Sequence, residues 1–320
     1  MLENIYKKIK FDKSLLVELE HELLRQQAIQ LWVYRTDKRH LTLSGNKWYK
    51  LKYNLAEAAQ YPQPHVVTFG GAYSNHIYAT AAAGALLGFQ TSAFIRGEAP
   101  AVFNPTLRFA QEQGMHLRFV SRTAYRDKTA LLDAHADQLG EYYLLPEGGT
   151  NALALKGCAE LAHEVVEQLG GLWPDHWTLA CGTGGTMAGL LTGLQGKGRV
   201  HGFSALKGDF MASEIQQLLA TNGWPVFQNW EIHGNYHFGG YAKHSEELLQ
   251  FINDFYQTQD ILLDPVYNGK HFYGLFDLIQ KGYFPVGSTI VAIHSGGLQG
   301  NQGFNERFGQ MLIPEESKSA

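Results

Sequence analysis

Cysteine is nearly absent: Cys158 and Cys181 are the only two in 320 residues. They form no Cys-x-x-Cys pair and no Cys/His grouping, which excludes a disulfide framework and a thiolate metal site, and a reducing, cytoplasmic setting is expected. Charge is sparse as well, at 18% of residues, and 26 Lys and Arg against 30 Asp and Glu leave a formal −4 with no basic stripe. A nucleic-acid partner therefore has no electrostatic footprint, and a small molecule is the expected ligand. Long apolar runs are missing too. The longest small or apolar stretch, ATAAAGALLGF at 79–89, is well short of the ~18 residues that a membrane span takes. The opening MLENIYKKIKFDK alternates charged and apolar residues, so neither export nor membrane insertion is expected.

What is present is the composition of a folded globular chain, 45% hydrophobic and 12% aromatic, long enough for two lobes. Short β-rich runs, HVVTF (65–69), TSAFI (91–95), HLRFV (116–120), YYLLP (142–146), WTLAC (177–181) and STIVAI (288–293), alternate with helical stretches. That rhythm predicts an α/β chain with parallel sheets and crossover helices, one series between about 65 and 146 and a second from about 155 to 300. A ligand is expected between the lobes, at the carboxyl ends of the strands.

Four stretches carry residues suited to chemistry. In ACGTGGTMAGLLTGL (180–194) a strand runs through Gly182, Thr183, Gly184, Gly185 and Thr186 into a small-residue helix, where backbone N–H groups converge on an anion. The run is neither a P-loop nor a strict G-x-G-x-x-G, and a merely tight connection is the alternative. In TFGGAYSNHIYATAAAGALLG (68–88), Ser74, Asn75 and His76 open an Ala-rich helix, either as a helix cap or as hydrogen-bonding and proton-transfer groups. SGNKWYKLKYNL (44–55) places Lys47, Lys50 and Lys52 within six positions. Lys47 is the one whose burial would lower its pKa and free its amine as a nucleophile; Lys52 is expected on the solvated surface. Near the end, DPVYNGK and HSGG set Tyr267 and Ser295 beside glycines, in positions suited to line a cleft.

In order along the chain, GNKWYKL, GGAYSNH, PEGGTN (146–151), GTGGTMAGL, DPVYNGK and HSGG resemble the fold-type II pyridoxal-phosphate enzymes, specifically the D-cysteine desulfhydrase and 1-aminocyclopropane-1-carboxylate deaminase family, over about residues 30–300. The resemblance implies a tryptophan synthase β-like fold, each domain a mainly parallel sheet flanked by helices. A large cofactor domain (1–52 and 155–320) would carry a small domain (53–154) inserted in it, in a homodimer. It implies pyridoxal 5'-phosphate joined to Lys47, its phosphate in the 182–186 loop with help from Lys50, and its phenolic oxygen on Asn75. Ser74, Asn75 and His76 would hold the substrate carboxylate. Tyr241 and Tyr267 would be the tyrosine pair, with Ser74 among the proton-transfer candidates. Asn268 and Ser295 stand near the ring nitrogen where the deaminases carry an acidic residue and a leucine. A neutral partner there favours β-elimination, D-cysteine to pyruvate, sulfide and ammonia, over cyclopropane opening. Trp48, Tyr49 and Tyr78 depart from the family pattern, and the bulky Trp48, Tyr49 and Tyr73 are expected to reshape the pocket. The alternatives are the deaminase reaction, a cofactor-binding protein without turnover, and a nucleotide-binding module.

Overall fold

The β-rich runs fold into two sheets in a computed structural model that describes residues 2–13 and 15–313. The strands are β1 (Leu15–Glu18), β2 (Gln30–Arg35), β3 (His65–Gly71), β4 (Gln90–Arg96), β5 (His116–Val120), β6 (Tyr143–Leu144), β7 (His176–Cys181), β8 (Arg199–Ser204), β9 (Trp230–His233) and β10 (Thr289–His294). One sheet has 6 strands in the order β1-β2-β10-β7-β8-β9, the other 4 in the order β5-β4-β3-β6. Only β1 runs antiparallel to its neighbour; every other pairing is parallel, and the inner strands β3, β4, β7 and β10 are buried on both faces, as parallel sheets covered by helices require. YYLLP shortens to two paired residues, since Pro146 has no N–H to continue a ladder. β1, β2, β8 and β9 were not among the strands read from sequence. β8 carries Gly202 because the helix behind it comes close: a Cβ there would lie 2.5 Å from Met187 Sδ.

Parallel strands deliver their carboxyl ends to one side, and β3, β4, β7 and β10 end there at Gly71, Arg96, Cys181 and His294. Helix packing then sets the site. The Asn46–Ala58 helix lies backbone to backbone on the Ala152–Gln168 helix, where a Cβ on Gly157 would come 1.8 Å from the Tyr49 carbonyl oxygen. Gly189 and Gly193 bring the Gly185–Leu194 helix equally close to Leu155 and Ala159. These glycines hold the lysine segment and the glycine loop in a fixed relation. Among the described residues, no helix is long and apolar enough to cross a membrane.

Candidate active site

Between the carboxyl ends of the two sheets lies a cavity of about 890 Å³ lined by Lys47, Lys50, Ser74, Asn75, His76, the 182–186 loop, Tyr241, Tyr267 and Ser295. The structure thus brings together every site residue read from sequence except Asn268.

Lys47 sits in the first turn of its helix behind Gly45, whose φ of +70° and missing Cβ let the turn lie against the C-terminal glycine motif. A Cβ on Gly45 would be 2.1 Å from the Ser295 carbonyl oxygen, which accepts the Asn46 N–H at 3.1 Å. Burial and the neighbouring Lys50 lower the Lys47 pKa to about 7, so a large share of the amine is uncharged at neutrality. Its Nζ donates to Asn46 Oδ1 at 2.8 Å, and Asn46 Nδ2 donates to Thr186 Oγ1 at 2.9 Å. Asn46, which sequence reading passed over, therefore ties the lysine to the glycine loop. Its position beside Lys47 at a helix start was the available signal.

Lys50 is one turn further along the same face, buried, with its pKa lowered by that burial. Its Nζ donates to Thr150 Oγ1 at 2.9 Å, Thr183 Oγ1 at 3.2 Å and the Gly148 carbonyl at 3.2 Å. No carboxylate pairs with it among the described residues. A buried ammonium held by neutral oxygens alone is costly unless an anion joins it. The anion's place is the adjoining loop, where Gly184, at φ +71°, precedes the Gly185–Leu194 helix. A Cβ on Gly185 would fall 3.1 Å from Lys50 Nζ, and one on Gly182 2.9 Å from the Tyr267 ring. A phosphate bound by N–H groups at a helix start beside one lysine fits this cradle.

Three residues beside these lysines correct the sequence reading. Lys52, expected at the surface, is fully buried: it pairs with Glu160 and lies 5.0 and 5.6 Å from the Tyr49 and Tyr53 ring centres. Trp48 and Tyr49, expected to reshape the pocket, do not line it. At about 3.6 residues per turn, positions 48 and 49 point roughly 100° and 200° away from Lys47. Trp48 packs at 5.5 Å from Tyr6 and 4.1 Å from Phe11, while Tyr49 bonds Glu164 and accepts from Arg39 at 2.9 Å. Tyr73, by contrast, does line the cavity.

On the facing wall Ser74 caps the Asn75–Leu87 helix, its Oγ accepting from Ile77 N at 3.3 Å. Asn75 Oδ1 accepts from Gln299 Nε2 at 2.7 Å, which leaves its Nδ2 as the donor against Gly297. His76 is buried and neutral, its pKa pushed well below the usual value by burial and by Lys47 and Lys50. Thr68 Oγ1 donates to the Leu145 carbonyl at 2.8 Å and so accepts from His76 Nε2 at 2.8 Å. The other nitrogen, Nδ1, is then a bare acceptor with no partner among the described residues.

Tyr241 and Tyr267 meet edge to face, ring centres 6.2 Å apart, and burial raises both phenol pKa values, so both hold their protons at neutrality. Asn268, expected at the cofactor, lies buried behind the wall: its Nδ2 donates to Asp264 Oδ1 and the Gly296 carbonyl, both at 2.7 Å, and its Oδ1 accepts from Ser295 N at 2.9 Å and Ser295 Oγ at 3.1 Å. It positions Ser295, the hydroxyl that does face the cavity. Both thiols are buried with pKa values pushed up to about 11 and about 12, unsuited to act as nucleophiles. The donor atoms of His201, Glu231 and His233 lie within 4.8 Å of one another, but Glu231 is closed off by Arg199 at 2.9 Å and Tyr283 at 2.6 Å. Sequence reading also missed four arginines on the cavity wall, Arg96, Arg122, Arg126 and Arg307. Scattered arginines carry no local motif.

A lysine of lowered pKa, an anion cradle and a protonated tyrosine pair at the ends of parallel strands define a site for a phosphorylated carbonyl cofactor. Over residues 21–296 the chain matches the pyridoxal-phosphate dependent enzymes, and it belongs to that family. It is 34% identical over 299 residues, 85% of this chain and 73% of the other, to the bifunctional D-cysteine desulfhydrase/1-aminocyclopropane-1-carboxylate deaminase, mitochondrial, of Arabidopsis thaliana. To the D-cysteine desulfhydrase of Klebsiella pneumoniae strain 342 it is 28% identical over 294 residues, covering 84% and 87%. Among solved structures, a crystal structure of an ACC deaminase homologue superposes with a TM-score of 0.82 at 26% identity, covering 97% of this chain and 99% of that one.

Proposed function

We propose that this chain catalyses β-elimination on a small D-amino acid, with D-cysteine and water giving pyruvate, sulfide and ammonia. The observation that carries the reading is the pairing of Lys47 and Lys50 on one helix face: an amine with a pKa of about 7, and one turn on a buried cation without a carboxylate. Bound there, pyridoxal phosphate supplies an electron sink for the pair of electrons left at the substrate's Cα.

The chain's residues do the rest. Lys47 Nζ is the amine to which the cofactor attaches, and near neutrality the free amine can both accept and return a proton. Lys50 and the Gly182–Thr186 loop hold the phosphate. Asn75 Nδ2, fixed by Gln299, donates to the phenolic oxygen. Ser295 Oγ, held by Asn268, is the neutral partner of the ring nitrogen. Ser74, Asn75 and His76 receive the substrate carboxylate at a helix start, and Tyr267 and Tyr241 are phenols able to protonate a departing thiolate. The two sheets support a division into a large domain, 1–52 with 155–320, and an inserted small one, 53–154. The family resemblance supports a homodimer, and two buried, unpaired cysteines support a cytoplasmic setting.

Product analysis tests the reading. Sulfide, pyruvate and ammonia should appear together from D-cysteine. Release of 2-oxobutanoate from 1-aminocyclopropane-1-carboxylate without sulfide from D-cysteine would move the assignment to the deaminase reaction. A cofactor-loaded protein yielding no keto acid from any amino acid would make it a binding protein.

A further inference from the structure

The cavity mouth carries more positive charge than D-cysteine can use. Of the six other arginines, five face carboxylates, Arg25 with Glu22, Arg35 with Asp37, Arg39 with Glu164, Arg108 with Glu306 and Arg199 with Glu231, at 2.7 to 3.1 Å, and Arg118 donates to Ser92 Oγ at 3.4 Å. Arg96, Arg122, Arg126 and Arg307 have no such partner among the described residues, and all four line the cavity that holds Lys47. Glu147, the carboxylate on the same wall, is taken by Lys128 at 3.1 Å.

Three stretches of chain far apart in sequence supply these groups. Arg96 ends β4, and its Nη2 lies 3.7 Å from where a Gly71 Cβ would stand, beside the turn that leads to Ser74. Its Cζ is 5.5 Å from the Tyr125 ring centre. Arg122 and Arg126 flank that tyrosine in sequence, and Arg307 arrives on the Gly300–Phe308 helix. Guanidinium groups keep their charge at any physiological pH, and low-dielectric cavity walls focus the field of the four inward, which favours entry of an anion.

The phosphate already has Lys50 and the glycine loop, and the α-carboxylate has the Ser74–His76 helix start. We infer that the preferred substrate is an amino acid whose side chain ends in a second acid group, held by the guanidinium groups of Arg96, Arg122, Arg126 and Arg307. This rests on the reading above, in which the cavity takes an amino acid at the Lys47-bound cofactor. D-cysteine, which lacks that second acid group, is then a substrate that the cavity accepts without using its arginines.

The test uses the cofactor-loaded protein and isothermal titration calorimetry with two isosteric pairs, D-aspartate against D-asparagine and D-glutamate against D-glutamine. At least one acid should bind about tenfold or more tighter than its amide, since each charge-assisted contact adds strongly to affinity. The ratio should shrink with added salt and fall toward one in Arg96→Gln and Arg126→Gln, with Arg126→Lys retaining part of it. Both positions are exposed, and unchanged circular dichroism would confirm that the variants fold. Equal binding of acid and amide, no binding of either acid, or a ratio that survives glutamine at each of the four positions overturns the inference. If D-cysteine still yields sulfide in that case, the β-elimination reading stands alone. If no D-amino acid perturbs the cofactor's visible absorption, the cofactor reading fails and this inference with it.

Discussion

Lys50 and Lys52 are two residues apart on one helix and equally buried, yet their surroundings differ in kind. Lys52 has a carboxylate, Glu160, and two aromatic rings; Lys50 has two hydroxyls and a carbonyl. The first is a finished structural ion pair. The second is a cation whose counter-charge the protein does not supply, which is what an anion-binding site looks like before its ligand is counted. Burial alone does not separate the two; the partner does.

The comparison can be broken first at Gly157. Gly157→Ala places a methyl group 1.8 Å from the Tyr49 carbonyl and must push the lysine helix away, so we expect a loss of about 3 kcal/mol or more in denaturant unfolding, together with weakened cofactor binding. The lysines themselves come next. Lys50→Met should weaken cofactor affinity by about 100-fold in equilibrium dialysis while leaving the apoprotein as stable or more so, because a buried cation without a carboxylate is removed. Lys52→Met should do the reverse, with cofactor affinity within a few-fold and stability lower by about 1–3 kcal/mol, the range narrowed by Glu160 being partly solvated.

A smaller effect concerns pH. Because burial lowers the Lys47 pKa to about 7, the proton is lost through neutrality and the reactive amine is already near its maximum by about pH 8. The rate at which apoprotein takes up cofactor covalently should level off there; a rate still climbing tenfold per unit toward pH 10 would show an ordinary, solvated lysine. The smallest change is expected from Trp48→Phe, which alters a residue packed against Tyr6 and Phe11 and outside the cavity. Its kcat/KM for D-cysteine should stay within about twofold.

Much of this was legible because short motifs encode local geometry. The glycine run at 182–186 and the Ser74-Asn75-His76 cap each specify a strand end and a helix start, and the structure has both. The lysine segment was read less well, because its meaning depends on which face of the helix meets which neighbour. Lys52 was taken for surface charge because Glu160 lies 108 positions away, and Trp48 and Tyr49 were assigned to the pocket by their nearness in sequence, although a helix turns adjacent residues apart. Asn268 was placed at the cofactor when it is one layer behind, holding Ser295. Gln299, which fixes Asn75 across 224 positions, and the arginines drawn from three segments are products of tertiary folding that no local pattern announces.

One amine, Lys47 Nζ, is central to the proposed chemistry. Borohydride reduction of the cofactor-loaded protein, which makes any cofactor–lysine bond permanent, followed by peptide mapping by mass spectrometry, should place the label on Lys47 and nowhere else, and Lys47→Ala should abolish it. A label on Lys50, Lys52 or any other lysine, or none at all in a protein that binds the cofactor, would contradict the assignment.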